Sequence, residues 1–246
     1  ITEGTKPGLG RNSCQYRNRC RRGCPFGAYF SSNSSTLPAA EATGNMTLRP
    51  NSVVSEVLYD ADSKKATAVR LIDSETKEVI EYKAKVVFLC ASTVASTSIL
   101  MQSTSDRFPN GMGNDSGELG HNLMDHHFRL GANATVEGHE DKYFTGRRPN
   151  GIYIPRFRNI GGATNRKDFI RGYGYQGGAN RGDWSQIVAE MAYGERLKEA
   201  LMKPGGWTIG INAFGETLPY HDNKMYIDQN KKDQWGLPTV TFDAEI

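Results

Sequence analysis

The sequence predicts an α/β plus α+β architecture, and three observations carry that reading. Short strand-like runs separated by polar turns fill residues 46–82, the pattern of a β-meander. The run Val86-Val-Phe-Leu-Cys90 has no apolar–polar alternation, as expected of a strand buried on both faces, and it feeds a helical stretch. Past a Gly/Asn-rich connector at Asp106–Asp125 the pattern changes to strands divided by long polar loops, with one helix among them.

Residues 1–35 read as loop, rich in Gly, Arg, Asn and Ser. Leu37–Thr43 is a short helix that Gly44 and Asn45 stop. Strands are expected at Met46–Arg49, Val53–Tyr59, Ala66–Ile72, Val79–Tyr82 and Val86–Cys90, with turns at Asp60-Ala-Asp-Ser-Lys and Asp73-Ser-Glu-Thr-Lys. Thr93–Ser103 follows as a helix with Ser92 or Thr93 at its N-cap. In the second part, strands are expected at Leu130–Val136, Gly151–Arg156, Phe169–Tyr175, Trp207–Phe214, Lys224–Asp228 and Val240–Phe242. Asp183 is placed to cap a helix from Trp184 or Ser185 to Met202, ended by Pro204-Gly-Gly. The expected division is 1–127 and 128–246.

With 246 residues the chain can bury a sizeable core. Its 37% hydrophobic content and mean hydropathy of −0.57 are on the polar side of globular. A net charge of +3 gives no case for a nucleic-acid partner. The longest apolar stretch, 86–91, is far too short to span a bilayer. A start at Ile1 without Met and an end at Ile246 within a strand-like run read as the middle piece of a larger enzyme.

Three of the four cysteines fall in one short run, Cys14, Cys20 and Cys24, spaced C-x5-C-x3-C and followed by Pro25. Three thiolates on one loop suit an iron–sulfur cluster or zinc. Structural zinc takes four ligands, a [3Fe-4S] cluster three, and a disulfide with one free thiol is the plain alternative; spacing leaves all three open. Cys90, at the end of the apolar run, reads as a packed small hydrophobe. Arg11, Arg17, Arg19, Arg21 and Arg22 crowd the cysteines, either as a solvated basic loop or as compensation for an anionic metal–sulfur centre. Adjacent His126 and His127 read as hydrogen-bonded loop histidines rather than a metal pair. Neither Gly8-Leu-Gly10 nor Gly111-Met-Gly113 continues into G-x-G-x-x-G, so no pyrophosphate loop is read from them.

The order of four stretches resembles the glucose–methanol–choline (GMC) flavoprotein oxidoreductases. Thr47-Leu-Arg-Pro-Asn-Ser-Val-Val-Ser-Glu-Val-Leu is similar to the strand that carries the adenine of FAD in that family. Ala84-Lys-Val-Val-Phe-Leu-Cys-Ala-Ser, followed by Ser96-Thr-Ser-Ile-Leu-Met-Gln-Ser, resembles the second family signature, with Ser92, Thr97 and Thr104 where Gly, Pro and Gly are usual. Gly117-Glu-Leu-Gly-His-Asn-Leu-Met-Asp-His resembles a turn of that family, and Phe214-Gly-Glu-Thr-Leu-Pro, Asn223-Lys-Met-Tyr-Ile-Asp and Asp233-Gln-Trp-Gly-Leu-Pro resemble strands of the substrate domain. The cysteine spacing is similar to that of the bacterial glucose, gluconate and fructose dehydrogenase flavin subunits.

The resemblance implies part of an FAD-binding Rossmann-like domain followed by an antiparallel-sheet substrate domain with a helix. It implies FAD as cofactor, with Val54 at the adenine, Ala91 and Ser92 along the cofactor's edge, and Asn122 and Asp125 in the adjoining turn. It implies a sugar or polyol substrate met by Asn212, Phe214 and Glu216, which alternation puts on one face of a strand. Hydride would pass to flavin N5 while a histidine outside this chain takes the hydroxyl proton, so no catalytic residue is assigned here. By the same resemblance Cys14, Cys20 and Cys24 would converge on a [3Fe-4S] cluster, with a cytochrome c and a small accessory subunit as partners and a periplasmic or membrane-associated location. Two alternatives stand beside it: a GMC oxidase using oxygen with structural cysteines, and a non-enzymatic sugar-binding or zinc-stabilised module.

Overall fold

The computed structural model describes residues 11–16, 20, 23–142, 151–181, 193–202 and 205–245. In chain order the elements are α1 (Thr36–Glu41), β1 (Ser52–Asp60), β2 (Lys65–Asp73), β3 (Val79–Lys83), α2 (Thr93–Gln102), β4 (His126–Val136), β5 (Ile152–Ile154), β6 (Gly174–Arg181), α3 (Gly194–Met202), β7 (Trp207–Glu216), β8 (Lys224–Lys232) and β9 (Pro238–Asp243). They form two compact units that interleave along the chain. One comprises 48–125 with 216–246, the other the described residues of 1–47 with 126–215. The chain crosses between the units near 47, after Asp125 and near 216.

The first unit is built on the antiparallel meander β1-β2-β3. Its turns form where the sequence supplies short acids. Asp60 accepts hydrogen bonds from the Ser63 N–H and hydroxyl, both at 2.7 Å, and Asp73 from the N–H groups of Glu75 and Thr76, both at 3.0 Å. Apolar side chains from β1, β2, α2 and β8 meet in one core of Val57, Ala68, Leu71, Ile72, Ile99 and Met225. Ser103 is 1% exposed and joins two elements there: its hydroxyl donates to Ile99 O at 2.7 Å and accepts the Val57 N–H at 2.8 Å. The β8–β9 hairpin belongs to the same unit, its end closed by Asp233, which accepts from the N–H groups of Trp235 and Leu237 at 2.9 Å.

The second unit contains a four-stranded sheet ordered β4-β7-β6-β5. Its inner strands are glycine-rich, and the close approach of neighbouring backbones explains why. A Cβ at Gly210 would meet the Asn133 amide, and one at Gly215 would lie 2.5 Å from the Tyr173 ring. Arg181 ends β6 by donating to Gly205 O at 2.8 Å and to the carbonyls of Lys142 and Glu140.

Several expectations need correction. Val86–Cys90 is not a buried strand: no described strand pairs with it, and Val86 and Phe88 are 65% and 85% exposed. Cys90 is exposed rather than packed. An apolar run without alternation asks for strands on both sides, and the three-stranded meander offers it none. Met46–Arg49 forms no strand. The strand expected at 169–175 lies instead at Gly174–Arg181, because pairing to β5 and β7 overrides the poor strand propensity of Gly174, Gly177 and Gly178. The Asp183 cap and the helix's first turns fall outside the described residues, as do Gly8-Leu-Gly10 and Pro204.

Candidate functional site

The cysteine loop is held by Arg11. Its guanidinium donates to Gly27 O at 2.8 Å, to Ala28 O at 3.3 Å and to the Ser35 hydroxyl at 3.4 Å, and lies over the Phe30 ring. Asn12 N–H to Phe26 O at 2.7 Å closes the loop. Arg11 therefore serves the backbone; Arg17, Arg19, Arg21 and Arg22 fall outside the described residues. Cys14, Cys20 and Cys24 are half-buried and free, so the disulfide alternative is not what forms. Cys14 Sγ accepts the Tyr16 N–H at 3.4 Å. Burial pushes the Cys24 thiol up, but the backbone N–H groups of Tyr29, Phe26, Ala28 and Gly27 outweigh it and hold the thiol below its ordinary value. Among the described residues no group of three His, Cys, Asp or Glu side chains is arranged to hold a metal ion. Cys14 and Cys24 each take hydrogen bonds from their own adjoining backbone.

The expected flavin-side residues lie in the first unit. Val54 sits on β1, opposite Leu71, immediately before a register shift, and is half-buried. Since β1 is an edge strand of the meander, it presents backbone groups that β2 does not use. Ala91 and Ser92 lead into α2, and here the backbone is unusual. Ser92 has φ 79° and ψ 165°, a region that is essentially glycine's alone, at the position where the family's motif carries glycine. Although it occupies the N-cap position, its side chain makes no capping bond, contrary to expectation. Ala91 N–H instead donates to Ser96 Oγ at 3.2 Å. The first turn of α2 is therefore left with backbone N–H groups that no N-cap side chain satisfies, a place where an electron-rich cofactor group can be held.

Asn122 and Asp125 belong to a turn that is stitched to the segment around β8. Leu123 N–H donates to Asn223 O at 2.9 Å, and Met225 N–H to Gly120 O at 2.8 Å. Asp125 N–H donates to the Thr217 hydroxyl at 2.9 Å, which in turn donates to Asp125 O at 2.9 Å. Asn122 takes a left-handed φ of 61°, and its amide donates to Glu118 at 2.8 Å. His121 stacks on His221 with ring centroids 4.1 Å apart, and His121 Nδ1 donates to His221 O at 2.8 Å.

Asn212, Phe214 and Glu216 alternate along β7 and share one face, as expected. Asn212 and Glu216 are exposed, Phe214 is half-buried, and His126 meets the Phe214 ring edge-on at 6.1 Å. Strand pairing adds residues the sequence reading missed. Gln176 on β6 lies directly opposite Asn212, and Tyr153 on β5 opposite Gln176. Period-two alternation of Tyr175, Gly177, Ala179 and Arg181 was the available signal, obscured by the glycines.

Residues 9–128 match the family model described as GMC oxidoreductase. This part of the chain belongs to the GMC oxidoreductase family. Three curated relatives extend the similarity along the chain. The fructose dehydrogenase large subunit of Gluconobacter japonicus is 26% identical over 243 residues, covering 98% of this chain and 43% of the relative. The 2-methyl-1,2-propanediol dehydrogenase of Mycolicibacterium austroafricanum is 27% identical over 246 residues, with 98% and 43% covered. The gluconate 2-dehydrogenase flavoprotein of Pantoea cypripedii is 25% identical over 238 residues, with 89% and 36% covered. The chain spans less than half the length of these relatives. Family and relatives together support an oxidoreductase of the GMC type, with FAD the cofactor the family implies.

Proposed function

We propose that this chain is part of an FAD-dependent dehydrogenase that oxidises a CH–OH group of a neutral or acidic sugar or another polyol and hands the electrons to a carrier. The observation that carries the reading is the glycine-type backbone kept at Ser92, ahead of a helix whose first turn lacks a side-chain cap. Such strain persists where surrounding structure requires the conformation, and it clusters at ligand sites. Bound FAD would supply the hydride acceptor. The chain's own contribution is binding and orientation. The edge backbone near Val54 would meet the adenine, Ala91, Ser92 and the first turn of α2 would line the cofactor, and the Asn122–Asp125 turn, tied to Thr217 and Asn223, would keep its place beside them. On β7, Asn212 and Phe214 would face the substrate, with Glu216 at the strand's end accepting hydrogen bonds from hydroxyl groups.

Among the described residues no group of three His, Cys, Asp or Glu side chains is arranged to hold a metal ion, and the reading needs no cluster within this chain. The bracing of the cysteine loop by Arg11 and Asn12 favours a second reading, an oxidase that reduces oxygen and uses the loop structurally. Full-length protein loaded with FAD, assayed on a panel of sugars and polyols with an artificial acceptor and separately with oxygen alone, tests both. Substrate-dependent reduction of the acceptor with little oxygen uptake supports the dehydrogenase. Equal turnover with oxygen favours the oxidase, and a protein that binds FAD but bleaches with no polyol refutes both. Iron and labile-sulfide analysis of protein prepared without oxygen tests the cluster independently.

A further inference from the structure

We infer that the loop between β5 and β6, residues 156–173, is a surface that binds anionic lipid headgroups, an inference that does not depend on the dehydrogenase reading. The loop is built inside out. Asn159, with a left-handed φ of 53°, is its central peg: the amide donates to Phe169 O at 2.9 Å and Arg171 O at 3.1 Å, and Oδ1 accepts the Arg166 N–H at 2.7 Å. Thr164 is a second peg, its hydroxyl donating to Gly161 O at 2.7 Å and accepting the Ile160 N–H at 3.2 Å. These two polar residues are half-buried, whereas Phe157, Ile160, Phe169 and Ile170 are exposed, Ile170 by 91%. Burial of apolar side chains drives the reverse arrangement in water. Here the polar pegs hold the backbone from within and fix the apolar side chains on the outside.

The charge of the loop identifies the partner. Arg156, Arg158, Arg166, Lys167 and Arg171 against Asp168 alone give residues 156–173 a charge of +4, whereas the whole chain carries +3. Asp168 is taken by Arg166 through two hydrogen bonds of 2.9 Å, while Arg156, Lys167 and Arg171 have no ion-pair partner among the described residues. Arg158 lies over the Phe157 ring and Arg166 over the Phe169 ring. Bases and apolar side chains are thus interspersed along both limbs of the loop. The core of a protein–protein interface is depleted of charge and keeps its polar groups at the rim. Interspersed bases suit a bilayer surface instead, where isoleucine and phenylalanine enter the acyl boundary and long basic side chains reach back to the headgroup phosphates.

The test uses full-length protein, phosphatidylcholine vesicles with or without about 30% phosphatidylglycerol, and trypsin, which cleaves after Arg166, Lys167 and Arg171. Wild type is expected to sediment with the anionic vesicles about tenfold or more better than with the neutral ones and to be released by about 0.5 M salt. Anionic vesicles alone should slow cleavage at the loop. Lys167→Gln combined with Arg171→Gln should weaken vesicle binding about thirtyfold, the worth of two bases at an anionic surface, whereas Lys167→Arg with Arg171→Lys should leave it within about twofold. Ile170→Ser should weaken it about fivefold. An unchanged Tm establishes that each variant is folded. Equal binding to both kinds of vesicle, binding that no variant alters, or a loop that trypsin fails to cut in the bare protein overturns the inference. Protection of the loop by an acidic soluble protein but not by vesicles assigns the surface to a protein partner and overturns it as well. Polyol turnover, which tests the dehydrogenase reading, is measured separately and stands or falls independently.

Discussion

Ser92→Gly should stabilise the protein, although glycine is usually a destabilising replacement. At φ 79° and ψ 165° a serine Cβ crowds its own backbone, and a residue held in that region costs about 1–3 kcal/mol. Glycine relieves the strain but is freer in the unfolded chain, which offsets about 0.5–1 kcal/mol. Nothing else is lost, since the exposed Ser92 side chain makes no capping bond. The net gain is about 1 kcal/mol, or roughly 2–4 °C in Tm for a protein of this size. Ser92→Ala keeps the strain and removes only the hydroxyl, so it should be neutral within about 0.5 kcal/mol, whereas deleting a working N-cap would cost about 1 kcal/mol. Urea unfolding of the full-length protein and both variants reads the difference. If Ser92→Gly destabilises, or Ser92→Ala costs a kilocalorie, the residue is a cap and not a strained stand-in for glycine. The reasoning then fails. If it holds, the glycine variant should also retain FAD more tightly through gel filtration.

Ser103→Ala should cost about 2 kcal/mol, because it leaves the buried Val57 N–H without its 2.8 Å acceptor; denaturant midpoints with an unchanged m-value check it. Gly120→Ala should cost more, about 3 kcal/mol, since φ is 92° and the new Cβ would lie 2.6 Å from Met225 O; an exchange that leaves Tm unaltered would refute the docking of this turn on β8. The carboxyls of Asp60, Asp73, Asp115 and Asp168 are all held below the ordinary range. For Asp73 the causes are the Thr76 and Glu75 N–H groups first, against slight burial, and then Arg49. Their stabilisation is therefore complete above the unfolded value of about 3.9 and is lost as pH falls through the lower folded values. Thermal melts from about pH 6 to 2 should show an acid limb beginning near pH 4, and the gap between wild type and Asp73→Asn should close along it.

What the sequence made legible follows from how local each determinant is. The meander was readable because Asp60 and Asp73 fix its turns within a few residues, although burial on β2 does not alternate, with Ala68, Leu71 and Ile72 all buried. The helix after Ser92 was readable down to its first residue, although the Ser92 side chain makes no capping bond. Val86–Cys90 was not, since a run without alternation states only that neighbours are wanted and cannot supply them. Strand β6 was misplaced because its glycines hide the pattern, and only pairing to β5 and β7 defines it. The interleaving of the two units, with 216–246 returning to the first, rests on contacts such as Leu123 N–H to Asn223 O that join residues a hundred positions apart.

Candidate site residues divide along the same line. Asn212, Phe214 and Glu216 could be placed on one face because one strand's period suffices to align them. Gln176, Tyr153 and Asn133 were missed because their alignment is a property of register between strands, and a one-residue slip would send each to the other face. The cysteines show the converse. Their spacing is a strong local signal, yet spacing only permits three sulfurs to meet. Whether they do depends on competing partners, and the backbone around Cys14 and Cys24 is one such partner. Ser92 carries the most information of all. Read as sequence it is a departure from a glycine motif that puts the motif in doubt; read as structure it keeps the glycine's backbone. A conformation so costly for serine has to be imposed by what surrounds it, and for that reason we propose the segment before α2 as the place to look for the cofactor.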